Sequence, residues 1–339
     1  MTRYLGDINT RARGLRTHLL QPQDFEQLAR AGTLSALHRE LSARGFTRSD
    51  APATPASLER EVRRRAAQQM SILARWASDG RDAVLAVLLE DEDRRSIQAI
   101  LRGAVQGATS ESRMSGLLPT KHLSERALRV LATQPTAADV VRMLVLWNHP
   151  FGPPLVPAVS ESHPSLLHLE VALQHAFAQR ALENAPEGGA HLVEYVQQVI
   201  DVMNAWSALL HFPERDPAVA DLVFVEGGRS VDRETFEALW DLEHRTDVER
   251  RLAFELRESP LHAAFEGKPF ENVTELEGAV LEAQIAWQRQ RMRLDPASAA
   301  PIIAFALELR AEVLNLRRIL WGIALDAPAA LIQSELVMA

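Results

Sequence analysis

Three acidic residues recur in one setting. Asp93, Asp201 and Glu312 each stand three residues before a small polar residue (Ser96, Asn204, Asn315) and eight before a leucine (Leu101, Leu209, Leu320). Carboxylates gathered at one point perform acid–base chemistry or hold a divalent cation, so a threefold cluster is one expectation. The default expectation is structural: acids near helix starts, or paired with nearby arginines. His191 and Glu194 lie three apart on one helix face, and a solvated helix edge outweighs a metal pair there. His163 and His168 flank Leu166-Leu167, and the other histidines are scattered. The run Arg60, Arg63, Arg64, Arg65 reads as a solvated basic face beside Glu59 and Glu61.

Other chemistry is excluded by what is missing. Gly267-Lys268 is followed by Pro269 and has no upstream glycine, so there is no phosphate loop. No dinucleotide fingerprint, H-E-x-x-H, G-x-S-x-G, EF-hand loop or di-iron Glu-x-x-His pair occurs. Cysteine is absent, which removes thiolate nucleophiles, disulfides and cysteine-held metals. No catalytic residue, cofactor or metal is therefore expected. Asn272-Val273-Thr274 has the form of a sequon and reads better as a helix start. With 37 basic and 45 acidic residues the net charge is −8, against a nucleic-acid partner or a broad dock on anionic lipid. The first residues contain no secretion signal, and no apolar run is long enough to span a membrane.

The elements that position these residues are helices. Of 339 residues 47% are apolar, and apolar positions recur at i, i+3, i+4 and i+7. Helices are predicted over 5–20, 22–31, 33–44, 57–78, 80–105, 120–133, 136–147, 166–185, 189–211, 232–242, 246–257, 274–293 and 300–323. Ser49–Pro55 and Pro150–Pro164 read as linkers, and Pro186–Gly189 and Gly227-Gly228 as turns. Ser57 and Thr136 are predicted N-caps. Leu222–Val225 alone suggests a strand. Trp76, Trp206, Trp287 and Trp321 fall on helices and are expected mostly in the core, with one on a rim as an interface anchor.

An internal repeat orders these helices. A leading helix carries Leu-Glu at Leu58-Glu59, Leu169-Glu170 and Leu276-Glu277. The acid-bearing helix follows, and its landmarks recur at about 110 residues. A further copy of that helix opens the chain, with Asp7, Thr10 and Leu15. Apolar pairs follow at Leu20 and Phe25, Leu118 and Leu123, and Val231 and Phe236. The two ends of the chain hold complementary parts of one unit. The expected fold is all-α: three similar helical domains about a pseudo-threefold axis, comprising 51–160, 161–269, and 1–50 joined to 270–339. An open solenoid would carry polar caps, whereas Pro301–Leu307 is among the most apolar segments.

Three segments resemble a family of rotary-ATPase components, that of the C subunit (also called the d subunit) of archaeal- and bacterial-type V/A-ATPases. Glu312–Gly322 (EVLNLRRILWG) is similar to its C-terminal signature of an acid, Asn-Leu-Arg, Ile and Gly. Ser96–Gly103 (SIQAILRG), including Leu101-Arg102-Gly103, resembles its Asn-Ile-Lys-x-Ile-Leu-Arg-Gly segment. Arg11–Arg16 with Leu19-Leu20 resembles its opening. The chain departs at Ser96 and Gln98, and Leu210-His211 stands where Arg-Gly follows the other copies. The resemblance implies a funnel of three helical domains. It implies a non-catalytic rotor part on the cytoplasmic face of the membrane, with the central stalk shaft and the membrane proteolipid ring as partners. The alternatives are a helical-repeat scaffold or adaptor, and an all-α enzyme with central acids.

Overall fold

A computed structural model describes residues 5–77, 83–160, 165–212, 216–266 and 273–338. Every regular element among them is helical. The chain opens with α1 (Gly6–Arg16), α2 (Pro22–Ala29) and α3 (Leu34–Ala43). A first run follows: long α4 (Pro55–Trp76) and α5 (Ala83–Val105), short α6 (Ser110–Met114), then α7 (Glu125–Ala132) and α8 (Ala137–Leu146). After α9 (Gly152–Val159) the order recurs as α10 (Leu166–Asn184), α11 (Ala190–Leu210), α12 (Pro217–Val223), α13 (Arg233–Trp240) and α14 (Arg245–Glu255). Beyond α15 (His262–Phe265) come α16 (Val273–Leu294), α17 (Ala300–Ala324) and α18 (Ala329–Ser334).

Capping residues set several boundaries. Thr33, Ser124, Thr136 and Asp232 each accept a backbone N–H from the first turn of the helix they precede. The expected cap at Ser57 is displaced. Pro55 supplies a preset φ at the first helical position, and Thr54 accepts the Ser57 N–H. The predicted linker Pro150–Pro164 contains α9, because Pro153 and Pro154 sit in its first turn, where no N–H is missed. The predicted strand is also overturned. Val223 ends α12, and Phe224-Val225 runs extended against the Asn204 side chain. The sequon at Asn272, the Gly267-Lys268 pair and His163 lie outside the described residues.

Each cluster of buried side chains draws on non-adjacent parts of the chain. Phe25, Leu28, Leu37 and Leu41 of α2 and α3 share one with Leu316, Ile319, Leu320 and Ile323 of α17 and Ile332 of α18. Leu128, Leu131, Val140 and Leu144 of α7 and α8 share another with Ile97, Ile100 and Leu101 of α5. Phe236, Leu239, Val248 and Leu252 of α13 and α14 share the third with Ala205, Ala208 and Leu209 of α11. The long helix that comes next in the sequence joins each cluster. Leu58 and Val62 of α4 enter the first, Leu169 and Leu173 of α10 the second, and Leu276 and Val280 of α16 the third. Burying one such leucine contributes about 2 kcal/mol, so each helix is held by the unit it leaves.

The chain ends are joined directly. α1 packs along α17, with Leu15 partly buried between them and Arg16 paired to Glu308 at 2.5 Å. α2 meets both α17 and α18, where Gln333 donates to the Glu26 carbonyl. Gly322 lets α18 approach α17, since a Cβ there would stand 2.7 Å from Ile332 Cγ1. Gly103 plays the same part for α6, a Cβ falling 2.6 Å from Arg113 Cγ. Gly322→Ala should destabilise the chain by about 1–3 kcal/mol, read as a lower urea midpoint at unchanged slope.

Candidate functional site

The recurring acids form no metal-holding group among the described residues and do not sit near helix starts; of the expected arginine pairings, Glu312 makes one, with Arg65. Asp93, Asp201 and Glu312 lie in the middle of α5, α11 and α17, all buried, and each anchors a loop. Glu312 accepts the Leu20 N–H at 2.7 Å. Asp201 accepts the N–H groups of Ser230 and Val231 at 2.9–3.1 Å. Asp93 accepts the Thr120 hydroxyl at 2.5 Å. The loop on Asp93 follows α6 and the loop on Asp201 follows α12, but the loop on Glu312 follows α1, at the opposite end of the chain. Its side chain also faces Arg65 at 3.3 Å.

Two recurring amides extend the device. Asn204 exchanges hydrogen bonds with Val225, donating to its carbonyl and accepting its N–H, both at 2.9 Å. Asn315 does the same with Val337, both at 2.8 Å. A carboxamide thus supplies the donor and acceptor that a neighbouring strand would supply. Ser96 is too short for that reach. Asp7 does not copy the anchor: it lies in the first turn of α1 and accepts the Ile8 N–H.

Two of the three Leu-Glu carboxylates tie their leading helix to the acid-bearing helix of the unit before. Glu170 of α10 takes Arg102 and Gln98 of α5. Glu59 of α4 accepts the Trp321 indole N–H of α17 at 2.9 Å, and the Gly116 N–H at 2.6 Å. Arg102 and Trp321 each follow the repeated leucine. Leu210 occupies that position in α11 and offers no donor, and exposed Glu277 pairs with Arg95 at 3.4 Å.

An ion cluster that the sequence reading did not single out joins α5 to α17. Asp91 accepts from Arg94 at 2.7 Å, Arg95 at 3.0 Å and Arg310 at 2.9 Å. Arg310 also holds Glu92. Burial works to raise the Asp91 carboxyl, but Arg95, Arg94 and Arg310 hold it well below the usual carboxylate range. Tyr195 of α11 is buried close by, and burial pushes its hydroxyl up to about 12. The signal was the charge run Glu90–Arg95 interrupting an apolar helix.

Several other expectations change. His191 is buried rather than on a solvated edge: it stacks on Trp287, bonds Gln288 at 2.8 Å and stands 3.8 Å from Glu194. The arginine run is not one solvated face, because Arg63 donates to the carbonyls of Met114 and Leu117 and Arg65 turns to Glu312. None of the four singled-out tryptophans is fully buried, and Trp76 and Trp321 are exposed. Among the described residues no three His, Asp or Glu side chains lie where they could hold a metal ion.

The anchors carry a pH signature. Burial pushes the Glu312 carboxyl up to about 7, against the Leu20 N–H and Arg65, which lower it. Burial likewise pushes Asp201 up to about 6, against the N–H groups of Val231, Ser230 and Arg229. The folded state therefore holds protons that the unfolded chain has released. This contribution is full below the ordinary values of 4.5 and 3.8 and is lost as pH rises through about 7 and about 6. Between pH 5 and 8 the two groups should lower stability by about 4 kcal/mol. Glu312→Gln keeps an acceptor for the Leu20 N–H and should remove the larger share of that slope. Urea titrations across the range check it, and an unchanged slope would refute the assignment.

The sequence model of the family described as "ATP synthase (C/AC39) subunit" matches residues 8–335. The C subunit of the A-type ATP synthase of Haloferax volcanii is 25% identical over 350 residues, covering 98% of this chain and 97% of that protein. The corresponding A-type C subunit of Halobacterium salinarum is 25% identical over 286 residues, 80% of this chain and 79% of that protein. The C subunit of the V-type ATP synthase of Deinococcus radiodurans is 24% identical over 229 residues, 65% of this chain and 63% of that protein.

Proposed function

The chain belongs to the ATP synthase (C/AC39) subunit family, and from that membership we propose that it is a non-catalytic rotor part of a V/A-type ATPase or ATP synthase. In this reading it is a socket: one end grips the central stalk shaft, the other sits on the proteolipid ring at the cytoplasmic face, and torque passes between them. The chain is read as three units, with 1–50 and 270–339 in one, 51–160 in the second and 161–269 in the third. No helix among the described residues is long and apolar enough to cross a membrane.

The observation that carries this reading is the use made of the recurring acids. Asp93, Asp201 and Glu312 are occupied in holding loops, and Glu59 and Glu170 in holding helices to one another. Side chains committed to fixing shape suit a part that must transmit force without yielding. Native mass spectrometry of the purified chain with the stalk shaft proteins of its complex should show a one-to-one assembly. Calorimetry with ATP should show no micromolar binding. Failure to assemble, or stoichiometric ATP binding, would overturn the proposal.

A further inference from the structure

The arginine run on α4 has a second outlet. Arg63 and Arg65 turn inward, while Arg64 faces outward across an open groove of about 820 Å³, with α7 as the other wall. Arg126, Arg129 and Val130 of α7 and Thr133 at its C-cap line that wall, at the i, i+3, i+4 and i+7 spacing of one helical face. Leu128 and Leu131 point the other way, into the core. Arg129 is partnered within its own helix by Glu125 at 3.0 Å, and Arg64 by Glu61 at 3.0 Å. Arg126 is exposed and has no carboxylate within ion-pair reach among the described residues. Arg60, also exposed, lies one turn before Arg64. In a chain of net charge −8 this groove is lined by three arginines against one carboxylate, Glu125, with Val130 as the apolar residue of its α7 wall.

We propose that the groove between α4 and α7 docks an acidic amphipathic helix of a partner protein. Charge complementarity supplies one half of the fit: guest carboxylates would meet Arg64, Arg126 and Arg129. The apolar half is Val130 with the methylene stems of the arginines, which cover apolar surface while their heads stay wet. The stripe from Arg126 to Thr133 runs about 10 Å, two turns, which matches a guest helix presenting anchors one turn apart. A flat bilayer fits less well, because it would bring the rest of an acidic surface against anionic headgroups. A single inserted segment meets the groove alone. The inference is independent of the rotor assignment, since the groove belongs to the isolated chain.

The test uses the full chain and a fluorescein-labelled 16-residue synthetic helix with leucine and glutamate on opposite faces. A control peptide carries glutamine for glutamate. In low salt the acidic peptide should bind at least tenfold more tightly than the control, and its affinity should fall severalfold on moving to ~0.3 M salt. Arg126→Glu with Arg129→Glu should abolish the preference with an unchanged melting curve, as expected for exposed positions. Arg126→Gln with Arg129→Gln should weaken binding about tenfold and guards against misfolding of the reversed variant. Equal binding of the two peptides, or unchanged binding by both double variants, would overturn the proposal. Sedimentation of the chain with phosphatidylglycerol vesicles, lost in the same variants while peptide preference is absent, would reassign the groove to lipid.

Discussion

If this chain is the socket proposed above, membranes carrying the rotary complex without it should hydrolyse ATP at the head and build no ion gradient. In that reading hydrolysis belongs to the head and translocation to the ring, so a missing coupler leaves the first running and the second idle. The effect should be close to total, because torque cannot pass through a joint that slips. A grip at each end requires a specific interface, on the order of 1,000 Å² or more of buried surface. Reconstituted vesicles with a fluorescent gradient probe measure the pumping, and a coupled ATPase assay measures the hydrolysis. Adding the purified chain back should restore the gradient. Coupled pumping at full rate in its absence would remove the socket role altogether.

The largest stability effect is expected at Asp91. Asp91→Asn keeps the shape of the side chain but leaves Arg94, Arg95 and Arg310 facing one another without their shared counter-charge. Removing one partner from a buried ionic cluster typically costs about 3–5 kcal/mol, because the remaining charges stay desolvated. Urea unfolding at pH 7 reads the loss. Glu234→Gln, at an exposed position on α13, serves as the control and should move the midpoint by no more than about 0.5 kcal/mol. A cost for Asp91→Asn equal to that control would mean that the cluster does not hold α5 to α17.

Helix content was readable because long amphipathic segments state their own period. The strongest segments, α10, α11, α16 and α17, lie within two residues of the predicted ranges. Short helices escaped: α6, α12 and α18 are five to seven residues long, too brief for a 3.6 period to show. Val223 to Val225 misled because an apolar, β-branched stretch reads as a strand whenever something supplies ladder partners, and here the Asn204 carboxamide does. The recurring acids lie in mid-helix, and of the expected arginine pairings Glu312 makes one, with Arg65, while all three hold a loop. Their spacing fixes a position on a helix, but whether a carboxylate meets an arginine, a metal or a loop N–H depends on chain 20 to almost 300 residues away. His191 shows the same limit, since Trp287 and Gln288 that enclose it come from another helix.

The joining of the ends by α17 and α18 has a consequence for synthesis. A ribosome makes α2 and α3 first and the helices that cover Phe25, Leu28, Leu37 and Leu41 last. At about 5–20 residues per second, the emerging N-terminal helices wait on the order of tens of seconds with their apolar faces uncovered. The cluster under α13 and α14 closes when α16 leaves the exit tunnel, whereas the one under α7 and α8 gains α10 in mid-synthesis and is completed only by Ile302, Ile303 and Phe305 of α17. The first unit begun is therefore the last completed, and a nascent chain that stalls before α17 presents α2 and α3 as a surface for chaperones or for another copy of itself.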